Sequence, residues 1–250
     1  MMLLAIDIGN TTIAFGVFRG KKLISSGKIS TQGVLSGKKV KLPAGISVAI
    51  ISSVVPKATP TVKKMVAQKY KIRPLVLGGN IKAPIKNLYR DQKQVGQDRL
   101  VNAVAAKELY GYPAIVVDFG TAITFDVISK KGEYIGGIIV PGIETSLNAL
   151  SEKAALLPKI RLSPQKGLIG RDTAESMRSG IFQGFGSLCD GIVLKLKAKY
   201  GKQPVIATGG HCRLMARFSK SIDIVNPDLT LRGLRIIYGR SSSGRSRNGH

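Results

Sequence analysis

The chain has 250 residues, of which 44% are hydrophobic, 21% are charged and two are cysteine. That usage excludes a disordered chain, a collagen, a coiled-coil rod and a disulfide scaffold, and leaves room for one large domain or two modest ones. Lys and Arg number 39 against 14 Asp and Glu, a formal charge of +25 that attracts anions.

The basic residues are spread along the chain, as in Lys38-Lys39 and Lys63-Lys64, and Trp is absent. The few aromatics are not interleaved with them, so a base-stacking nucleic-acid surface is poorly supported. Anionic small substrates are the better use of the field; the bland reading is a solvated lysine-rich surface. No apolar run approaches the roughly 20 residues needed to cross a bilayer. Asp7 arrives too soon for the apolar stretch of a secretory signal. A cytoplasmic protein without a membrane partner is expected.

In chain order, Met2–Phe18 reads as a hairpin: an apolar β-run, a turn at Asp7-Ile8-Gly9-Asn10-Thr11-Thr12, then a second run. Leu23–Ser30 reads as a third strand and Gln32–Gly45 as a Gly-, Lys- and Ser-rich loop. Ser47–Val54 is a buried strand, Pro60–Lys69 a helix and Pro74–Gly78 a strand. Gly96–Glu108 carries Leu100, Val101, Val104 and Ala105 at helical spacing. Pro113 marks a boundary. Ala114–Ile128 then repeats the plan of the first hairpin, with Asp118-Phe119-Gly120-Thr121-Ala122 at its turn. Thr173–Leu196 reads as a long helix weakened by Gly180, Gly184, Gly186 and Gly191. Val205–Ala207 is a short strand before Gly209-Gly210, and residues 241–250 are expected to be disordered. The echo divides the chain into residues 1–110 and 111–240, followed by that tail.

The two Asp-x-Gly turns carry chemistry. Gly9 allows close backbone approach, Asn10, Thr11 and Thr12 add donors for phosphate oxygens, and Asp7 stands where hydrated Mg²⁺ would need a carboxylate. A plain β-turn of the same residues is the bland alternative. The second turn shifts the balance, because two such loops suit the two ends of a triphosphate. Ala207-Thr208-Gly209-Gly210 suits a base or ribose packed on bare backbone. In Val95-Gly96-Gln97-Asp98-Arg99, Asp98 at a helix start is either a first-turn residue or, beside Arg99, a proton acceptor for a substrate hydroxyl.

Eight separated stretches carry a resemblance: IDIGNTT, ISSVVP, VGQDRLVNAVAA, VVDFGTAITFDV, GEYIGGIIVPGIETSLNAL, IGRDTAESMRSGIFQG, ATGG and NPDLTLRGLRIIY. The sequence resembles the type III pantothenate kinases, within the acetate kinase, sugar kinase, Hsp70 and actin superfamily. The resemblance implies an α/β fold of two tandem actin-like (ribonuclease H-like) domains with an interdomain ATP cleft. It implies ATP-dependent phosphorylation of pantothenate, the first step toward coenzyme A. Asp7, Ile8, Gly9, Asn10, Thr11, Thr12, Ile13 and Ala14 would line the ATP phosphates, and Thr121 would contact ATP. Asp98 would be the general base, with Tyr89, Gly96, Gln97, Arg99 and Thr173 around pantothenate. Asp118 would bind K⁺ or NH₄⁺ beside the Mg²⁺ that accompanies ATP. A homodimer is implied, with Thr173 near its interface.

The family commonly has Tyr-Asp-Asn-Pro and then Gly-Ala-Asp-Arg, where this chain has Tyr89-Arg90-Asp91-Gln92 and Gly96-Gln97-Asp98-Arg99. Thr31–Gly45 is also shorter and richer in glycine than the helix relatives carry there, which predicts a thinly covered sheet face. Gly142–Leu157 keeps the family's flexible-looking Pro-Gly segment. The alternative function is a non-catalytic regulator that keeps the fold. A kinase acting on another small hydroxylated acid is a third.

Overall fold

The computed structural model describes residues 1–245 apart from Lys39, Lys41 and residues 164–166. Its contacts divide the chain into two compact units. One is Met1–Gly111 with Gly132–Tyr134 and the residues from Asp228 onward; the other is Tyr112–Lys131 with Ile135–Pro227.

In the first unit, β1 (Met2–Ile8), β2 (Thr12–Arg19) and β3 (Lys22–Ser30) form an antiparallel meander. After the one-turn helix α1 (Thr31–Leu35) come β4 (Val48–Ser53), α2 (Thr59–Tyr70), β5 (Leu75–Val76) and α3 (Gln97–Tyr110). β4 lies parallel to β1 and β5 parallel to β4, giving the order β3-β2-β1-β4-β5. Side-chain alternation along β1 sets the two faces. Leu4, Ile6 and Ile8 join Ile13, Ala49 and Ile51 against Val62 and Val66 of α2. Leu3 and Ala5 join Phe18, Ile50 and Leu77 against Val101 and Val104 of α3. Asp7 and its register partner Ser52 therefore fall on the α3 face, at the carboxyl end of the parallel strands.

Residues 31–45 correct two expectations. α1 forms where a loop was read, because the Ser30 hydroxyl accepts the Gly33 N–H at 3.2 Å and caps it. The sheet face is also covered. Val34 and Ile46 join the core on that face and Leu42 is buried, while Lys69 and Tyr70 of α2 donate to the carbonyls of Leu42 and Pro43, each at 2.5 Å. A short segment suffices because its apolar side chains, and not a long helix, fill the space.

The second unit repeats the plan. β6 (Ala114–Phe119), β7 (Ala122–Ile128), β8 (Tyr134–Pro141), β9 (Val205–Thr208) and β10 (Ile224–Val225) follow the order β10-β9-β6-β7-β8, the order of the first sheet with each strand exchanged for its counterpart. One face carries Ile115, Val117, Ile123 and Phe125 and is covered by helices α4 (Ile143–Lys153), α5 (Thr173–Tyr200) and α6 (Cys212–Met215). Thus most of 142–157 is helix. α5 is unbroken over 28 residues despite its glycines. Its start is capped by side chains: Asp172 accepts the Glu175 N–H at 2.7 Å, and Glu175 accepts the N–H of Arg171, just before the cap, at 2.9 Å.

The final helix, α7 (Leu229–Arg245), departs from the expected division. It packs on the first unit, where Leu231, Leu234 and Ile237 join the α3 face. Gly233 makes this possible, since a Cβ there would lie 2.5 Å from the Val101 carbonyl oxygen. The helix also runs into the tail expected to be disordered; the rest of that tail, 246–250, lies outside the described residues.

Candidate functional site

In the first unit the carboxyl ends of the parallel strands gather the loops that carry chemistry. The Val54 N–H bonds the Ile8 carbonyl at 3.0 Å and the Leu77 N–H bonds the Ile51 carbonyl at 2.9 Å. Gly96 packs on Val54, and Gln97 lies against Gly78 just beyond β5. The 96–99 segment and the Asp7–Thr12 loop thus sit at one sheet edge, the edge at which open α/β sheets bind ligands. Gly9, Asn10, Thr11 and Thr12 are surface residues of the β1–β2 turn. Ile8 and Ile13 are core residues, so the expectation that they line ATP holds for their backbone at most. Ala14 is half-buried on the α3 face.

Asp98 lies in the first turn of α3 and accepts the Arg99 N–H at 2.8 Å. Burial pushes its carboxyl above the usual carboxylate range, while that N–H and the Arg99 charge pull it partly back. A carboxylate of raised basicity suits proton acceptance. Gly96 is the helix N-cap, and any Cβ on it would meet the Asp98 Oδ1.

Arg99 is buried, and its guanidinium carbon lies 5.9 Å from the centre of the Tyr134 ring. The Tyr89 ring lies 6.4 Å from the same ring. Two of the expected substrate residues, Tyr89 and Arg99, therefore meet around a tyrosine that sequence reasoning did not single out. Asn87, also missed, holds this wall: its Oδ1 accepts the Tyr89 N–H at 3.0 Å, and its neighbours Lys86 and Leu88 bracket Tyr134 with backbone bonds of 2.9 Å. The sequence signal was slight, since Tyr134 lies within GEYIGG but no local pattern ties it to Arg99.

In the second unit, the Asp118–Ala122 turn and the Ala207–Gly210 segment come together. Gly209, at φ +90°, presses on the Phe119 backbone and the Asp118 Oδ1 so closely that no side chain would fit. The His211 N–H bonds the Phe119 carbonyl at 3.2 Å. Thr208 is buried, which leaves Gly209 and Gly210 as the bare-backbone surface of that motif. Thr121 is exposed, as is Thr173 at the start of α5.

The aspartates of the two loops have matching neighbours. Ser52 is the register partner of Asp7, and Thr208 that of Asp118. Both hydroxyls are fully buried, and neither has a hydrogen-bond partner among the described residues. Buried orphan hydroxyls beside a carboxylate are chemically apt to meet a cation or its water. Among the described residues no cluster of three or more His, Cys, Asp or Glu side chains could hold a metal. A single carboxylate with oxygen neighbours fits hydrated Mg²⁺ shared with phosphate, or a monovalent ion held largely by neutral oxygens.

Comparison with known proteins follows the same line. A family model described as type III pantothenate kinase matches residues 3–195. A type III pantothenate kinase of Halalkalibacterium halodurans is 40% identical over 253 residues, covering 96% of this chain and 100% of the relative. Among solved structures, a Baf family transcriptional activator from Campylobacter jejuni matches with a TM-score of 0.60 at 21% identity, covering 96% of this chain and 99% of its own. A ROK family glucokinase from Streptomyces griseus, in complex with glucose and AMPPNP, matches with a TM-score of 0.52 at 13% identity, covering 95% and 99%. At those identities the two structures speak for the fold alone, which is actin-like.

Proposed function

The chain belongs to the type III pantothenate kinase family, and from that premise we propose how its residues carry out ATP-dependent phosphorylation of pantothenate. The observation that carries the residue assignment is the convergence, at one sheet edge, of the Asp7–Thr12 loop and a half-buried Asp98 of raised basicity.

Pantothenate's primary hydroxyl is set beside Asp98, with Tyr89, Gly96 and Gln97 forming the wall, which the fully buried Tyr134 ring backs from behind. As the hydroxyl oxygen forms its bond to the γ-phosphorus, its proton passes to an Asp98 carboxylate oxygen. The bond from the γ-phosphorus to its bridging oxygen breaks, and ADP leaves with that electron pair. Phosphoryl transfer needs alignment and charge cancellation more than covalent help. The backbone from Asp7 to Ala14, with the Asn10, Thr11 and Thr12 side chains, holds phosphate oxygens, and Thr121 adds a further contact. Gly209 and Gly210 offer bare backbone to the nucleoside. When bound, Mg²⁺ would cancel phosphate charge and a K⁺ or NH₄⁺ ion would add to that cancellation; Asp7 with Ser52 would hold the first and Asp118 with Thr208 the second. Arg99, being buried, acts through Asp98 and the Tyr134 wall and not as a surface clamp.

A homodimer through the second unit goes with this reading. Ile139, Leu156, Leu168, Ile169 and Leu194 are all more than half exposed and all belong to that unit. Thr173 follows Leu168 and Ile169 closely in the chain, so a partner covering them would also cover the start of α5. With a charge of +25, two copies repel at low salt. Sedimentation should therefore show a dimer that holds or tightens as salt rises; dissociation on adding salt would instead mean an ion-paired interface. No helix among the described residues is long and apolar enough to cross a membrane, and a cytoplasmic location accompanies the proposal.

The non-catalytic alternative is not favoured, since a regulator has no use for Asp98 together with both Asp-x-Gly loops. The test is coupled ADP release over a panel of hydroxy acids, with and without K⁺. Turnover confined to pantothenate and raised by K⁺ supports the assignment. Equal turnover with unrelated hydroxy acids, or none with pantothenate, refutes it.

A further inference from the structure

In both units the turn of helix that follows the third strand reaches back to the Asp-x-Gly loop. In the first, Thr31 opens α1; its hydroxyl donates to the Gly9 carbonyl at 2.7 Å and its N–H to the Thr11 carbonyl at 3.1 Å. In the second, the Gly142 N–H and the Thr145 hydroxyl, at the start of α4, both donate to the Thr121 carbonyl, at 3.1 and 2.9 Å. One more carbonyl in each loop is taken internally: the Gly9 N–H bonds the Thr12 carbonyl at 3.0 Å, and the Gly120 N–H bonds the Ala122 carbonyl at 3.2 Å. The two units share this wiring although Ser30-Thr31-Gln32 and Pro141-Gly142-Ile143 have no likeness in sequence.

A carbonyl oxygen is the wrong group to turn toward a phosphate. The peptide unit is planar and trans, so a C=O and the following N–H point in opposite directions. Tying the Gly9 and Thr11 carbonyls to Thr31 directs the Asn10 and Thr12 N–H groups away from Thr31. Tying the Thr121 carbonyl to α4 does the same for the Ala122 N–H. A loop whose carbonyls are tied back and whose N–H groups face outward is an anion cradle. We propose that Thr31, and with it Thr145, are positioning residues that set the polarity of the two phosphate loops, so that peptide N–H groups and not carbonyls meet the nucleotide. The inference rests on the reading of those loops as phosphate sites. Thr31 is buried, so no water replaces its hydroxyl. Thr145 is exposed, so water substitutes in part and its effect is the smaller.

The experiment measures AMPPNP affinity by calorimetry for Thr31→Val, Thr31→Ser and Thr145→Val, together with the KM for pantothenate. Valine keeps the shape and the backbone bond while removing one donor. Thr31→Val should weaken AMPPNP binding about five- to tenfold, Thr145→Val should weaken it less, and Thr31→Ser should restore it. The pantothenate KM should stay near that of the unaltered protein. Undiminished AMPPNP affinity in Thr31→Val overturns the proposal, as does a loss that serine does not rescue or one that falls equally on pantothenate. If the buried Thr31→Val fails to fold, Thr145→Val on its exposed site decides, and unchanged affinity there counts against the shared wiring. Because the readout is nucleotide affinity, a protein that binds AMPPNP but leaves pantothenate unphosphorylated contradicts the function and not this inference.

Discussion

Gly96→Ala isolates the placement of Asp98 from its chemistry. Gly96 sits at φ −56°, ψ 137°, a conformation that alanine adopts without strain. The cost is steric. The new Cβ would stand well inside 3.0 Å of the Asp98 Oδ1, where ordinary contact begins at 3.4 Å, and 3.3 Å from the Val54 Cγ1. Val54 need give little, whereas the Asp98 carboxylate must retreat and swing off the Arg99 N–H. Losing that bond costs about 1 kcal/mol, so the fold survives with a melting temperature a few degrees lower at most. A displacement of about 1 Å at a reacting group costs on the order of 10²-fold in rate. Steady-state ADP release should therefore show kcat down about 10²-fold with the KM for ATP unchanged. Since both changes disable one group, Gly96→Ala combined with Asp98→Asn should lose little more than Asp98→Asn alone. A Gly96→Ala enzyme with near-normal kcat would refute the claim that Asp98 must hold its present position.

Asp98→Asn itself should lower kcat about 10²–10⁴-fold. Its stability should move the other way. The folded carboxyl is raised above 3.8 by burial, so its ionised form destabilises the fold at neutral pH, and that penalty vanishes as pH falls below the unfolded value. Asp98→Asn should thus melt above the unaltered protein at pH 7 and converge with it near pH 3 to 4; a lower melting temperature at pH 7 would contradict the burial argument. Asp118→Ala should lose the response to K⁺ or NH₄⁺ more than basal turnover, and full activation in the variant would move the cation elsewhere. Gln203 is 6% exposed, and neither of its amide atoms has a hydrogen-bond partner among the described residues. Gln203→Leu should therefore stabilise the protein by about 1–2 kcal/mol, read as a melting temperature several degrees higher; a fall would mean that the amide is paired in solution.

The parts legible in sequence were those with a local period or a repeated local pattern. The hairpins announced themselves by alternation, and Asp7 and Asp118 by recurrence of the same turn on equivalent strands. α3 showed at its Leu100-Val101-Val104-Ala105 spacing. What escaped depends on register or on distant partners. Ser52 and Thr208 matter because parallel pairing sets them beside Asp7 and Asp118, which no single strand reveals. Tyr134 matters because a three-residue segment returns to the first unit beside Arg99. α7 was misassigned because sequence order says nothing about which sheet a helix returns to; Gly233, which fits it to Val101, could have hinted at a tight packing surface but not at its location. α1 was missed because one capped turn is too short to show a period.

The most direct measurement is phosphorus NMR of the purified protein with ATP, Mg²⁺, K⁺ and pantothenate, run beside Asp98→Asn. The account predicts one new phosphomonoester signal, coupled to the methylene protons of the primary hydroxyl carbon, growing in step with ADP and nearly absent for Asp98→Asn. ADP without that signal, or an equal signal from Asp98→Asn, would contradict it.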